Sequence, residues 1–469
     1  MTSLKNYQLL CTALLRSFSV AYLAAVIAVL AISGRSTTAE TFAADRPPAF
    51  VPLGAYLSWE RTDACAKANG IDRWADVARR LDALRKNHVN LLWVTNMDEV
   101  DLPRLIAECE KRDMRLLSSM GAVEAKLDWR WADDGTYYNR LLPQLVATAG
   151  GSSTLIGWVL SDEPLAEHLP RVETLRKKFR ELDPDRFTTA VTMWPQTPLV
   201  PAETKLPIVV MDLYPFFGPN DPNGPHTDAA SKGFFRNNMT AMMKAIGDGP
   251  ASAWVMGMCF SDIWGPREYN AEGHLIGLPG SYLHWRCPTP AEMRWQVWES
   301  FRGGAKGFVC YTVAPEAPDP ATSTLPPADV AWKEVLATEP TDLGPNALTN
   351  PDGSSTPQLE ELGRVYAQLA PHADLLLRLK RTDIEAMSLE GPGAIQGFVD
   401  PDTGARYAII VNDDLHERQA LRVAVPNATE KIEDLLEHNV LPLTERTLNE
   451  SRKGTLVLHA GSGTLLGIR

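Results

Sequence analysis

The chain has 469 residues, of which 45% are hydrophobic and 22% are charged, and its formal net charge is −12. This composition is typical of a soluble globular protein that is large enough for about two or three domains. The acidic balance excludes nucleic acid and anionic membrane surfaces as expected partners, because binding to either requires basic patches.

The first residues of the chain differ from the rest. Lys5 and Arg16 precede an uncharged run whose strongly apolar part, residues 20–32, is shorter than the ~20 residues that span a bilayer. A basic start followed by a short apolar run is typical of a secretory signal. We therefore predict a signal peptide or N-terminal membrane anchor with a short linker over residues 1–44. The body is then secreted or periplasmic, and an anchor is its only expected contact with a membrane.

From residue 45 onward, strand-like and helix-like segments alternate. A helix start is marked at Thr289, Pro290 and Glu292 by a capping box with a proline at the first helical position. Repeated strands and helices predict parallel strands with right-handed crossovers, closed into a (β/α)8 TIM barrel over residues 45–382. An open doubly wound sheet is the alternative, and the lack of a glycine-rich loop after the first strand weakens it. Apolar runs predict the eight strands at residues 51–59, 90–95, 115–120, 155–160, 187–193, 207–213, 253–260 and 306–313.

The pattern changes twice in the C-terminal third of the chain. Residues 314–357 contain nine prolines and little periodicity, which indicates an insertion before a last barrel helix at residues 359–379. Short β-rich runs at residues 407–411, 421–425 and 455–458 follow, separated by turn residues. They predict a small all-β, sandwich-like C-terminal domain over residues 383–469.

The cysteines give no sign of a metal or cofactor site. No CxxC or CxxH spacing occurs, so we expect no metal and no cofactor. Cys109 lies on an apolar helical face and is expected in the core. Cys65 and Cys287 lie in predicted loops, where a disulfide is possible in an oxidising compartment.

The predicted strands end in polar and aromatic residues. Functional groups of a (β/α)8 barrel lie at these carboxyl ends, and the fourth strand ends in Asp162 and Glu163, followed by Pro164, which suits the first turn of a helix. Aromatic rings stack on the apolar faces of sugars, whereas carboxylates and amides bind the hydroxyls. The strand ends therefore predict a carbohydrate site. The candidate substrate-binding residues are Asp162, Trp59, Asn96, Trp194, Tyr214, Trp264 and Tyr311.

Cleavage of a glycosidic bond requires a proton donor and a second carboxylate. The two carboxyls lie ~5–5.5 Å apart in retaining enzymes and farther apart in inverting ones. Neighbouring strand residues point to opposite faces, so Asp162 and Glu163 cannot fill both roles and the partner must come from another strand. The structural alternative is that Glu163 only caps the following helix, and that Asp212 only accepts hydrogen bonds from the backbone.

These segments together resemble the clan of retaining glycoside hydrolases with (β/α)8 barrels. The resemblance rests on residues 158–164, 212–215 and 304–308, and on a C-terminal β-domain like that of beta-galactosidase-like enzymes. It spans about residues 50–469 and implies that Glu163 acts as general acid and then as base.

The resemblance also directs attention to two further positions. Asp162 stands where the clan usually has an asparagine that binds the sugar. The clan's nucleophile is a glutamate that ends the seventh strand, where this chain has Asp262. Glu268 in the following loop and Asp212 at the end of the sixth strand are the other candidates.

The sequence therefore predicts an exported glycoside hydrolase that cleaves oligo- or polysaccharides by a retaining double displacement. A carbohydrate is the expected partner. Two alternatives stay open at this point, a non-catalytic carbohydrate-binding barrel and an inverting or transglycosylating carbohydrate enzyme. The sequence leaves the sugar, the linkage and the oligomeric state undefined.

Overall fold

The computed structural model describes residues 46–119, 136–269, 275–277, 279–315, 347–384, 387–444 and 451–469. Only the backbone is described for residues 136–141, 267–269 and 275–277. The predicted signal segment and most of the proline-rich insertion lie outside the described residues. Within the described ranges, no helix is long and apolar enough to cross a membrane.

Eight parallel strands close into a barrel, which confirms the predicted fold class. In chain order, the first seven strands neighbour one another, and the eighth barrel strand closes the ring between the seventh and the first. The ends of the predicted strands differ from the observed ones by at most about two residues. The barrel strands are β1 (Leu53–Ser58), β2 (Leu91–Thr95), β3 (Arg115–Ser119), β4 (Leu155–Asp162), β5 (Phe187–Thr192), β6 (Ile208–Asp212), β7 (Ser252–Met258) and β12 (Gly307–Tyr311).

The barrel strands are buried on both faces, which explains why they appear in the sequence as almost continuous apolar runs. Trp93 and Trp254 belong to the cluster that fills the barrel interior. Leu92 and Val94, which flank Trp93, belong instead to the cluster that includes Val77 of a surrounding helix. This alternation follows from the two-residue period of a strand.

Helices surround the barrel, and the predicted capping box is present. The Thr289 hydroxyl accepts a hydrogen bond from the Glu292 backbone N–H at 3.3 Å, and the Glu292 carboxylate accepts one from the Thr289 N–H at 2.7 Å. The helices are α1 (Trp59–Ala68), α2 (Arg73–Lys86), α3 (Leu102–Glu110), α4 (Thr136–Ala149), α5 (Leu169–Leu182), α6 (Val200–Glu203), α7 (Asp228–Ile246), α8 (Pro290–Gly303), α9 (Pro357–Leu369) and α10 (Ala373–Arg378).

Three local predictions need correction. The last barrel helix is divided into α9 and α10 by a 3-10 turn that contains Pro371, because proline lacks the N–H that would continue the helix. The helix after β4 begins at Leu169 and not at Pro164, because the backbone first turns sharply at Glu163. Cys65 lies in a helix and not in a loop, and the five cysteines of the described chain, Cys287 included, are free thiols.

Two hairpins lie between β7 and α8, beyond the carboxyl end of the barrel. In the first, β8 (Asp262–Trp264) pairs antiparallel with β11 (Tyr282–Trp285). In the second, β9 (Arg267–Tyr269) pairs antiparallel with β10 (Leu275–Gly277). These hairpins carry several of the candidate site residues.

The C-terminal part of the chain forms two antiparallel sheets around their own apolar core, as predicted. Phe398, Ile409 and Leu465 join the same core cluster as Trp295 and Trp298 of α8, so this part and the barrel share apolar packing. The six-stranded sheet has the order β13 (Lys380–Thr382), β15 (Gly393–Val399), β16 (Arg406–Asn412), β21 (Gly463–Ile468), β18 (Ile432–Asp434) and β19 (Asn439–Val440). The three-stranded sheet has the order β14 (Ser388–Glu390), β17 (Gln419–Val425) and β20 (Arg452–Leu458).

Candidate active site

Glu163 sits on an unusual piece of backbone directly after β4. The pairing of β4 with β5 is irregular between Val159 and Asp162, and the Glu163 N–H donates to the carbonyl of Val191 at 3.0 Å. The backbone of Glu163 has a φ of 44°, in the left-handed region. Such a conformation costs a non-glycine residue roughly 1–3 kcal/mol and is found disproportionately at functional sites.

Asp212 ends β6 and forms a hydrogen bond with the Glu163 carboxyl. The Asp212 side chain is buried, and this burial raises its pKa well above the ordinary range. The hydrogen bond to Glu163 and the charges of Glu163 and Asp162 raise it further. Asp212 therefore keeps its proton to a higher pH than an ordinary aspartate does.

Asp212 has a second oxygen with a different environment. Its Oδ1 is buried and has no hydrogen-bond partner among the described residues. A buried carboxyl oxygen without a partner is costly, so it is a natural acceptor for a hydroxyl group of a bound ligand.

Asp162 brings a third carboxyl to the same place. Desolvation raises its pKa to about 6, and the charge of Glu163 raises it as well. Its side chain is nevertheless exposed to solvent. A carboxyl on the wall of a cleft is expected to show both properties, because one side of it faces solvent while protein surrounds its other sides.

A cluster of aromatic rings adjoins these carboxyls, and Tyr214 connects the two. Burial raises the pKa of the Tyr214 hydroxyl well above the ordinary range, and the charges of Asp212, Asp162 and Glu163 contribute. The Tyr214 ring centroid lies 6.0 Å from that of Tyr311, 5.1 Å from that of Phe260 and 5.4 Å from that of Trp285. The structure thus brings the predicted Tyr214 and Tyr311 together beside Asp162, Glu163 and Asp212.

Asp262 and Trp264 lie in the hairpin formed by β8 and β11. The Trp264 indole Nε1–H donates to Asp262 Oδ2 at 3.0 Å, and Trp264 is 44% exposed. Trp264 contacts the aromatic cluster through Trp285, with ring centroids 5.7 Å apart. The side chain of Glu268, the third nucleophile candidate, lies outside the described residues.

The remaining candidates are more dispersed. Trp194 follows β5 and is 51% exposed, and Asn96 follows β2 with an exposed side chain and a φ of 58°. Trp59 is only 3% exposed and packs edge-on against Trp74, with ring centroids 5.2 Å apart. Trp59 therefore has almost no surface left for a sugar.

Sequence reasoning missed two parts of this region. Phe260 and Trp285 complete the aromatic cluster with Tyr214 and Tyr311. Phe260 was predicted as the last residue of the seventh strand, but it lies two residues beyond the end of β7. Trp285 lies in β11, in a segment that no periodic pattern defined. The described residues include no group of three or more His, Cys, Asp or Glu side chains placed to hold a metal ion.

Comparisons with known proteins bear on the fold. No family model matches the chain, and no curated protein matches it by sequence. A family 5 glycoside hydrolase from Bacteroides vulgatus superposes with a TM-score of 0.52 at 9% identity, covering 88% of this chain and 89% of that one. AmyP in complex with maltose gives a TM-score of 0.48 at 10% identity, covering 83% of this chain and 89% of that one. The likeness to the family 5 glycoside hydrolase shows that the two chains share the (β/α)8 fold.

Proposed function

We propose that the protein is a glycoside hydrolase in which Glu163 is the general acid and base. The observation that carries this proposal is the hydrogen-bonded pair of Glu163 and Asp212, which lies beside Asp162 and Tyr214. The pair lies at the carboxyl ends of barrel strands, where the active sites of (β/α)8 enzymes lie. Its aromatic neighbours suit the apolar face of a sugar ring.

The carboxyl pair is suited to proton transfer. A general acid must be protonated before reaction, and the raised pKa of Asp212 favours a protonated carboxyl in hydrogen-bonding contact with Glu163. The leaving oxygen of the glycoside receives that proton as the bond to the anomeric carbon breaks. Glu163 then accepts a proton from the water that completes hydrolysis.

The second carboxylate of the reaction is proposed to be Asp262. A hydrogen-bonded pair is closer than the ~5–5.5 Å of retaining enzymes or the ~6.5–9.5 Å of inverting enzymes, so Asp212 suits the role of a proton partner better than that of a nucleophile. Asp262 lies on another strand, and the Trp264 N–H orients its carboxylate. We therefore propose a retaining double displacement, with Asp262 attacking the anomeric carbon.

The N-terminal segment adds a proposal on location. Residues 1–44 have the pattern of an export signal or anchor, and we propose that the protein acts outside the cytoplasm, on oligo- or polysaccharides. Fusion of residues 1–44 to a periplasmic reporter tests this, and a reporter that remains in the cytoplasm contradicts it.

The main experiment replaces the proposed acid. Glu163→Gln is expected to lower kcat/KM by at least about 100-fold on a natural oligosaccharide, because general acid catalysis contributes about 10²–10⁴-fold. The substrate is chosen from a panel of aryl glycosides and oligosaccharides. Glu167→Gln is a matched control, since Glu167 is a nearby exposed glutamate whose carboxylate lies 3.8 Å from the His168 imidazole. Unimpaired hydrolysis by Glu163→Gln contradicts the proposal.

The same panel tests the mechanism. Proton NMR of the first anomer released is expected to show retention, and Asp262→Asn is expected to abolish turnover. Release of the inverted anomer contradicts a covalent route through Asp262.

A non-catalytic carbohydrate-binding barrel is the second candidate. The observation that favours it is the contact between Glu163 and Asp212, which brings these two carboxyls too close to span a glycosidic bond. It predicts binding of an oligosaccharide by calorimetry without release of product. Hydrolysis that depends on Glu163 excludes it.

A further inference from the structure

A buried pair of Asp221 and His284 lies beside the candidate site. Asp221 follows β6 and is 2% exposed, and His284 lies in β11 and is 7% exposed. His284 Nδ1 is hydrogen-bonded to Asp221 Oδ2. The other carboxylate oxygen of Asp221 accepts the backbone N–H groups of Asn223 at 2.7 Å and Gly224 at 2.6 Å.

These contacts fix the imidazole ring. The hydrogen bond between Nδ1 of His284 and Oδ2 of Asp221 sets the rotation of the ring. The ring is also packed edge-on against Phe217, with centroids 5.3 Å apart, and tilted against Trp285 at 4.0 Å. His284 therefore has a single orientation, set by Asp221 on one side and by aromatic rings on the others.

The fixed imidazole supports one face of Trp264. The two rings are stacked, with centroids 3.7 Å apart and an angle of 26° between their planes. The edge of the indole is held by the hydrogen bond from its Nε1 to Asp262. Trp264 is still 44% exposed, so a large part of the indole remains accessible to a ligand.

Trp264 is continuous with the site that contains the carboxyls. It contacts Trp285, which in turn contacts Tyr214. The carboxyls of Asp212 and Glu163 lie near enough to the Tyr214 hydroxyl to raise its pKa. A ligand that stacks on Trp264 would therefore lie along the same wall as the proposed proton donor.

We propose that Asp221 and His284 are positioning residues that hold Trp264 as a fixed stacking surface for a sugar ring. The identity of the ligand as a sugar rests on the proposed function, whereas the positioning of Trp264 does not. Holding the indole before the ligand arrives removes the cost of ordering it on binding. Affinity for a sugar that contacts Trp264 should therefore depend on a histidine that need not touch it.

The positioning is tested first in the protein without ligand. The chain has 13 tryptophans, so the indole N–H resonance of Trp264 is assigned by its loss in Trp264→Phe. His284→Ala is expected to shift this resonance, since it removes the stacked ring, and to speed its exchange with solvent. Asparagine has nearly the same shape as aspartate, so Asp221→Asn should fold even if His284→Ala does not. It should shift the Trp264 resonance in the same direction.

His416→Ala is a matched control, because His416 forms a surface pair with Asp228 at 3.1 Å. It should leave the Trp264 resonance unchanged. A resonance and an exchange rate that are unaltered in both His284→Ala and Asp221→Asn would overturn the positioning role.

Binding is tested by calorimetry with cellotetraose, xylotetraose, mannotetraose and maltotetraose. Trp264→Ala and His284→Ala are each expected to raise the Kd of the tightest ligand by about tenfold, the equivalent of ~1.4 kcal/mol. Weakened binding in Trp264→Ala with wild-type affinity in His284→Ala contradicts the inference. Wild-type protein that binds a tetrasaccharide without cleaving it contradicts the proposed hydrolase and leaves the inference intact.

Discussion

At the scale of single residues, the most informative feature is the raised pKa of Asp212. Its neighbours on the chain gave no reason to expect this, because the groups that raise the pKa besides burial are Glu163 and Asp162, at the end of another strand. A carboxyl whose folded pKa exceeds its unfolded value destabilises the fold once the unfolded chain ionises. The site therefore keeps its proton at the expense of stability.

Asp212→Asn is expected to make the protein more stable than wild type at pH 7. The wild type loses stability as the pH rises from about 4, where the unfolded aspartate ionises, towards the raised pKa of the folded state. The advantage of the variant should therefore grow from pH 4 to pH 7. Urea denaturation of both proteins at intervals of one pH unit measures this difference in the free energy of unfolding.

Asp414→Asn provides a control of opposite sign. The backbone N–H groups of His416 and Glu417 lower the pKa of Asp414, so its stabilising effect is present at neutral pH and is lost as the pH falls. This variant should be less stable than wild type at pH 7 and closer to it at low pH. An Asp212→Asn advantage that stays constant with pH contradicts the raised pKa.

At the scale of elements, capping and periodicity in the sequence correspond well to the observed helices and strands. The capping box at the start of α8 is formed by residues three positions apart, so local geometry alone decides it. Glu292 also binds Arg286, with hydrogen bonds of 2.8 and 2.6 Å. The end of the same helix is fixed by Gly304, whose φ of 103° suits glycine.

Thr289→Ala is expected to lower the free energy of unfolding by about 1 kcal/mol. The change removes the hydroxyl that accepts the Glu292 N–H, and loss of such a cap typically costs ~0.5–2 kcal/mol. Thr289→Ser keeps the acceptor and should remain within a few tenths of a kcal/mol of wild type. Urea denaturation compares the two variants. An equal loss in both would show that the methyl group of Thr289, and not its hydroxyl, stabilises the helix.

At the scale of the whole molecule, helix α8 joins the barrel to the C-terminal sheets. Arg236 forms hydrogen bonds with both Glu299 of α8 and Asp413 of the C-terminal part, and the Trp295 indole N–H also donates to Asp413, at 3.2 Å. Gly463 of β21 lies directly against Trp298. Because these contacts accompany a shared apolar core, we expect the described chain to unfold in one cooperative transition.

Gly463→Ala is expected to lower the midpoint of that single transition. A β-carbon at this position would lie 2.5 Å from the Trp298 ring, and overpacking of this kind costs about 1–3 kcal/mol. Gly151→Ala is the control, because a β-carbon there meets no heavy atom within 4 Å. Calorimetry with tryptophan fluorescence follows both variants. Two separate transitions, of which only one responds to Gly463→Ala, would contradict a shared core.

The barrel was predictable from the sequence because its signals are local. Strands buried on both faces need apolar runs, and surrounding helices need an apolar face and capped ends, so each element marks its own position along the chain. Glu163 could be identified as a candidate site residue for the same reason, since two acids and a proline after an apolar strand are a local pattern in the sequence.

The arrangement of the site was decided only by the tertiary structure. The contact of Glu163 with Asp212, the stacking of His284 on Trp264 and the burial of Trp59 each join residues that no local pattern relates. The hairpins after β7 are defined by packing against the barrel mouth, whereas the barrel strands are defined by their own periodicity. Local sequence thus determined which elements form, and closure of the barrel determined which of their ends meet.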